Sequence, residues 1–439
     1  MQKIVIIGNG ISGITAARHI RKRSRDSILV ISKESDYFFS RTALMYIYMG
    51  HMRYEDTKPY EDWFWDKNKI DLLRGEVTSI DFDHKTISCL NYRQGSQVGN
   101  VAEIPYDQLI IATGSVPNYF GWKGQDLNHV QGMYSLQDLG CLEATSDQIQ
   151  HGVIVGGGLI GIELAEMLHS RNKEVTMLVR EQNYWDNFLP PEEARMVNRQ
   201  IQSNGIQLLL DTRLEEIHGD LEGKVRSVTT HTGQEIPCQF VGITAGVRPN
   251  IDWLGEQSPL ETDRGILVDE YLQTNIPQVY AIGDCAQHKN PLPGRQAVES
   301  VWYTGRIMGE TVAHTITGDP QPYKPGPWFN SAKFFNVEYQ VYGIIPNRIE
   351  PPFSSFYWEH PEKDLALRVV YREKDTTLAG IHALGIRLKM EVCMDWLRRN
   401  APIDQVIHQL HLAHFDPELN PRYFRDIQRS FNAPKTSIV

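Results

Sequence analysis

Apolar residues gather in short, nearly continuous runs that alternate with stretches of helical spacing. KIVII (3–7) is followed by Gly8-Asn9-Gly10-Ile11-Ser12-Gly13, and then by apolar positions three and four apart out to Ile20. Unbroken apolar runs of this length predict strands buried on both faces, as in a parallel sheet, and the period that follows predicts a helix packed on it. HGVIV (151–155), the turn Gly156 to Gly161 and a second helical pattern to Leu168 repeat the plan 148 residues later. That interval is domain-sized rather than the period of a solenoid. Each copy also has a second strand, SILVIS (27–32) and EVTMLV (174–179). Two nucleotide-binding units follow.

Residues 76–111 alternate apolar and polar positions around a polar Gly/Ser/Asn loop and end in the buried strand and turn of YDQLIIATGS. Residues 116–147, with Pro117, Gly121 and Gly124, read as a turn-rich connection. Short strands follow the second unit as far as the Pro249-Asn250 break, then a strand and turn at QVYAIGDCA (278–286) and a helix from Glu299 to about Ile316. From Tyr323 onward the chain is rich in aromatics and Pro at first, marking a separate domain. A core helix is expected over 386–400, with Cys393 near its apolar face, and a longer one over 403–419.

Composition narrows the class. The 439 residues carry 44 Lys or Arg and 54 Asp or Glu, a formal charge of −10, which disfavours nucleic-acid and anionic-membrane binding. The one basic run, Arg18 to Arg25, fits the solvated C-terminal end of a helix. Five cysteines with no CxxC or CxxxxC spacing argue against a disulfide framework, a zinc ribbon or a dithiol pair. With no leader-like start and no apolar run near the roughly 18 residues of a span, the expectation is a cytoplasmic protein in a reducing compartment. Peripheral membrane contact stays open.

The glycines carry the chemistry. Gly8 permits the tight turn, Gly10 lets a pyrophosphate approach the backbone and Gly13 lets the helix pack on the strand, with the phosphates held at the helix N-terminus. Gly156, Gly158 and Gly161 repeat these roles. Acidic residues stand at the distance expected of a ribose ligand: Glu34, 21 residues beyond Gly13, and Glu181, 20 beyond Gly161.

GNGISG, ATGS (112–115), GGGLIGIE (156–163), GVRPN (246–250) and TNIPQVYAIGDCA (274–286), in this order, resemble the pyridine nucleotide-disulfide oxidoreductases, flavoproteins with two dinucleotide-binding domains. Within that superfamily the chain is most similar to the ferredoxin and rubredoxin reductases and the flavin domain of nitrite reductases, over residue 1 to about 343. The resemblance implies an α/β fold of two Rossmann-like three-layer domains plus a C-terminal α+β domain. The FAD-binding domain would comprise 1–115 and 246–322, the NAD(P)H-binding domain 116–245, and the flavin-covering or interface domain 323–439.

It also implies a site. FAD would lie against Gly8, Gly10, Ile11, Ser12, Gly13, Ala112, Thr113, Gly114, Gly246 and Gly283, with Glu34 on the adenosine ribose. Arg41 matches the arginine of an RPxLS motif by the flavin, Thr42 follows it, and Asp284 matches an aspartate on the ribityl chain. Trp302 and Trp328 are assigned to the flavin as well, Trp328 through its likeness to a PWFWSDQ segment. NAD(P)H would lie against Gly156, Gly158, Leu159, Ile160 and Gly161, and Glu163 matches a glutamate near the nicotinamide, taken as the catalytic residue. Hydride would pass from NAD(P)H to flavin N5, then electrons to a second acceptor, with no metal.

The departures bear on that acceptor. Disulfide-reducing relatives need a thiol by the flavin, but Thr42 stands at the single-cysteine position and no cysteine is nearby. Cys285 reads as a buried structural thiol. The lysine that ferredoxin-reductase-like members carry is Tyr46 here, and the second Trp of PWFWSDQ is Asn330. Glu181 favours NADH, while its neighbour Arg180 could grip the 2′-phosphate of NADPH. A ferredoxin- or rubredoxin-like carrier is the first expectation for the acceptor. The alternatives are a peripheral NADH:quinone reductase, suggested by Arg387, Lys389, Arg398 and Arg399, and a low-turnover redox-sensing or scaffold flavoprotein. His408, His411 and His414 read as core or surface residues rather than metal ligands, and the same tract could serve a partner or a homodimer through Phe415, Tyr423 and Phe424.

Overall fold

The computed structural model describes residues 1–92, 100–416, 418 and 422–433. The Gly/Ser/Asn loop of 93–99 and the end of the helix expected to reach Leu419 lie outside the described residues. The chain divides into two compact units, the first formed by 1–121, 125–149 and 242–325, the second by 122–124, 150–241 and 326–439.

In the first unit the apolar runs become the parallel strands Val279–Ala281, Gln108–Ile111, Lys3–Ile7, Ser27–Ser32 and Ile70–Asp81, in that spatial order, extended by antiparallel Thr86–Asn91 and Asn100–Pro105. Ile4, Val5, Ile6 and Ile7 are all buried, as a strand covered on both faces requires. Ser27–Ser32 and Gln108–Ile111 flank Lys3–Ile7 on opposite sides, so the strand order reverses at the C-terminal end of Lys3–Ile7. Open α/β sheets bind ligands at such a switch point. Helix Ile11–Arg23 starts there and packs on helix Trp302–Ile316, where a Cβ at Gly309 would lie 2.5 Å from the Ser12 carbonyl oxygen. Arg21, Lys22 and Arg23 occupy its last turn, where the dipole favours cations.

The second unit repeats the strand–turn–helix plan with parallel Gln207–Leu209, Glu174–Leu178 and His151–Val155 and helices Leu159–Ser170 and Pro191–Ser203. Its remainder holds a three-stranded antiparallel sheet of Leu214–Gly219, Val225–Thr230 and Glu235–Pro237 and a five-stranded antiparallel sheet in the order Phe329–Phe334, Val337–Gly343, Leu378–Leu384, Ala366–Arg372, Phe353–Glu359, with helices Met390–Arg398, Ile403–His408 and Phe424–Asn432. The fold is thus two dinucleotide-binding α/β motifs plus a C-terminal α+β portion.

Two local expectations change. The connection over 116–147 contains helix Leu136–Thr145, fixed by a capping box in which Ser135 and Asp138 satisfy each other's backbone N–H groups. The helix expected over 403–419 stops at His408 and tightens into the 3₁₀ turn Leu410–Ala413. Side chains three apart eclipse in such a turn, and Leu410 and Ala413 are both buried by it. The helix expected over 386–400 forms over Met390–Arg398, with Leu388 before it in a β-bridge to His414 and Cys393 in the core.

Candidate functional site

In the first unit, Gly8 has φ +115°, and a Cβ there would overlap the Ala112 carbonyl; one on Gly13 would overlap the Gly8 carbonyl. The chain itself therefore demands the first and third glycines. Gly10 differs: among the described residues, its chain neighbours aside, no atom stands within 4 Å of where its Cβ would be. Among the described residues no side chain caps helix Ile11–Arg23 and no acid lies in its first turn. Its N–H groups and positive dipole end face an open approach suited to a phosphate, and in this respect the turn fits a dinucleotide.

Around this turn the structure brings together most of the residues singled out in the sequence. Arg41 donates to both carboxylate oxygens of Glu34, one at 2.8 Å, and to the Tyr134 carbonyl, with its guanidinium 4.6 Å above the Tyr134 ring. Burial opposes the Arg41 charge, but the Glu34 pair outweighs it and holds the pKa above its usual value. Glu34 also accepts from the Leu136 N–H at 2.9 Å. Asp284 accepts from the Ser115 hydroxyl at 2.9 Å, and burial pushes its carboxyl up. Thr113 donates to the Asn250 carbonyl and Asn250 N–H to the Gly114 carbonyl, joining the ATGS turn to GVRPN. Gly246 and Gly283 both have φ in the left-handed region, and a Cβ on Gly283 would overlap the Ser12 hydroxyl. Thr42 is exposed, its hydroxyl 3.2 Å from that of Ser40. Trp302 opens its helix with its ring edge on Tyr303. The Cys285 thiol, fully buried and raised in pKa by burial, points at the Ile111 and Ile282 carbonyls.

In the second unit Gly156 has φ +129°, and among the described residues, its chain neighbours aside, nothing stands within 4 Å of a Cβ on Gly158, so this turn is open at the same position as the first. Leu159 and Ile160 begin a helix that, among the described residues, has no side-chain cap and no acid in its first turn. Desolvation, helped by the neighbouring Glu166, pushes the Glu163 carboxyl up to about 8. Glu166 is held by the Phe335 N–H at 2.8 Å. Glu181 accepts from Arg180 Nε at 2.7 Å and from Asn187 at 3.2 Å, so the two residues competing to read the ribose are paired with each other. Trp328 precedes the C-terminal sheet, its carbonyl accepting from Gly343.

Tyr134 was not singled out in the sequence, although it contacts Arg41 and accepts from the Ser115 N–H at 3.1 Å. Burial chiefly, with Asp284 adding, pushes its phenol up to about 12. The available signal was the capping box that begins at the next residue. The three C-terminal histidines separate: His408 bonds the Asp404 carbonyl at 2.7 Å, and His414 is buried with its ring edge on Phe424. Among the described residues no group of three His, Cys, Asp or Glu is placed to hold a metal, and no helix is long and apolar enough to cross a membrane.

The sequence pattern of the pyridine nucleotide-disulphide oxidoreductases matches residues 2–313. The chain is 30% identical to nitrite reductase [NAD(P)H] of Bacillus subtilis over 342 residues, 77% of this chain and 40% of that protein. It is 27% identical to rubredoxin-NAD(+) reductase of Ectopseudomonas oleovorans over 329 residues, 74% of this chain and 83% of the relative. A ferredoxin reductase from Rhodopseudomonas palustris superposes with a TM-score of 0.77 at 22% identity, covering 88% of this chain and 91% of the other. The chain spans about 40% of the length of the nitrite reductase it matches. On the extent and order of these matches, the chain belongs to the pyridine nucleotide-disulphide oxidoreductase family.

Proposed function

We propose that the protein is an FAD-dependent NAD(P)H:acceptor oxidoreductase that passes electrons to a small carrier of the ferredoxin or rubredoxin kind. The observation that carries this reading is the pair of turns with open space at their second glycine, Gly10 in one unit and Gly158 in the other. Gly8, Gly10 and Gly13, with Ile11 and Ser12, would hold the FAD pyrophosphate; Glu34, pinned by Arg41, would hold the adenosine ribose; and Asp284, steadied by Ser115, the ribityl chain. Gly156, Gly158 and Gly161, with Leu159 and Ile160, would hold the nicotinamide dinucleotide. FAD supplies hydride acceptance from the nicotinamide and onward electron transfer. A Glu163 carboxyl titrating near 8 stays largely protonated at neutral pH, so it offers a hydrogen bond at the nicotinamide end without placing a charge there.

Glu181 supports NADH over NADPH, because its carboxylate repels a 2′-phosphate and ties up the nearest cation, Arg180. Segment 37–52, which has no cysteine, supports electron transfer to a separate carrier over disulfide reduction. Four of the five free cysteines are buried, consistent with a reducing, cytoplasmic setting. The test is an anaerobic stopped-flow screen of NADH-reduced protein against ferredoxin, rubredoxin, quinone and oxygen. Reoxidation by an iron–sulfur or rubredoxin carrier faster than by quinone or oxygen is expected. Fastest reoxidation by quinone selects the quinone-reductase alternative, and slow reoxidation by every acceptor selects a sensing role.

A further inference from the structure

Between strand Glu174–Leu178 and helix Pro191–Ser203 runs a loop in which two adjacent aromatic residues, Tyr184 and Trp185, face different parts of the second unit. Tyr184 is fully buried, and its hydroxyl donates to the carbonyl of Gly158, the residue that caps helix Leu159–Ser170. The same oxygen accepts from Gly161 N–H at 2.9 Å and Ile162 N–H at 3.3 Å, so the phenol is a third donor on the atom that starts the helix. Burial raises the Tyr184 phenol well above its ordinary pKa, so it stays a donor across the working range. Its own N–H is fixed at 2.8 Å by Asn198, which also holds Asn183.

Trp185, the next residue, adopts φ +61°, a conformation a bulky side chain keeps only when its surroundings impose it. Those surroundings are the C-terminal sheet: the indole lies 4.9 Å from the Tyr339 ring and 6.5 Å from Phe334, and Asn347 donates to the Asp186 carbonyl at 3.1 Å. The backbone that carries Trp185 outward to the sheet carries Tyr184 inward to the glycine turn.

We propose that Tyr184 is a positioning residue for the second dinucleotide turn, and that Trp185, seated on Tyr339, sets its reach, so that the C-terminal sheet tunes nicotinamide-nucleotide binding. This rests on the reading above that Gly156 to Gly161 receive the nicotinamide dinucleotide. With its carbonyl pinned, Gly158 presents the N–H groups of the first helical turn outward in one arrangement, and a phosphate then binds without ordering them.

The test compares wild type with Tyr184→Phe and Tyr339→Leu, using NADH as donor and ferricyanide as acceptor. Loss of one buried hydroxyl–carbonyl bond is expected to raise the KM for NADH about three- to tenfold, with kcat and bound flavin unchanged. Tyr339→Leu should move the same KM in the same direction, and the double variant should fall short of the product of the singles. Independently of turnover, hydrogen exchange without nicotinamide should quicken at the amides of 159–162 in Tyr184→Phe. Unchanged KM and unchanged exchange overturn the proposal. Exchange that quickens in Tyr184→Phe as expected, with a wild type that NADH does not reduce, instead overturns the functional reading.

Discussion

Arg368 is the residue whose loss the structure predicts most sharply. Its side chain is 4% exposed and that of its partner Glu193 1%. Nε and Nη2 donate to Glu193 at 2.6 and 2.8 Å, Nη2 also to Glu192 at 2.9 Å and Nη1 to Ser355 at 2.8 Å, with the guanidinium over the Tyr357 ring. His382 Nδ1 stands 3.3 Å from the same Glu193 oxygen. In Arg368→Met the carboxylate stays buried with one weaker partner, and breaking such a pair costs about 3–5 kcal/mol. If the compact second unit of about 200 residues melts as one, that is a fall of roughly 7–12 °C in melting temperature. Replacing both charges, Arg368→Met with Glu193→Leu, should recover most of it, because a packed apolar pair is often as stable as a buried ionic one.

The pH dependence gives a second reading of the same group. In the wild type burial alone would raise the Glu193 carboxyl, but bonds and charges from His382 and Arg368 outweigh it and hold the pKa low. Its stabilisation is therefore present above the unfolded pKa and lost as pH falls through the folded one. Without Arg368, burial dominates and the folded pKa rises above the unfolded value, so stability is present at low pH and lost as pH rises. Calorimetry from pH 5 to 8 should show the single variant losing stability relative to wild type as pH increases. A loss below about 1 kcal/mol, or a double variant less stable than the single, refutes the reasoning.

Further outcomes follow from the site and from the chain around it. Gly10→Ala should fold normally and lose flavin, whereas Gly13→Ala, with a Cβ against the Gly8 carbonyl, should lose fold and flavin together, as circular dichroism and bound-flavin absorbance will show. Flavin reduction by NADH should change with pH around the Glu163 value of about 8 and lose that inflection in Glu163→Gln. The raised folded pKa also means wild-type stability falls as pH rises from the ordinary glutamate range towards 8, a slope that Glu163→Gln should remove. Titration of native protein with a thiol reagent should find Cys141 alone reacting quickly, since the other four cysteines are buried.

What was legible in the sequence is what local chemistry dictates. The glycine turns had to be glycine because a Cβ at Gly8 or Gly13 meets backbone, and the unbroken Ile and Val runs had to be central parallel strands. Glu34, Arg41 and Asp284 were singled out through motifs, but the groups that hold them were not, since Tyr134 and Ser115 reach Arg41 and Asp284 from other segments of the chain. Helix Leu136–Thr145 hid behind turn residues on either side of its capping box. The C-terminal tract read too long a helix because Leu410 and Ala413 suit an α-helix and a 3₁₀ turn alike. The link from Trp185 to Tyr339 spans more than 150 residues and leaves no local trace.

The central claim, that the protein holds a flavin which a nicotinamide nucleotide reduces, is tested most directly by anaerobic titration of the flavin-loaded protein with NADH. The account predicts that the flavin band near about 450 nm bleaches at one NADH per flavin, with Gly158→Ala needing more NADH for the same bleaching. A protein that cannot be loaded with FAD, or a bound flavin that neither NADH nor NADPH bleaches, contradicts it.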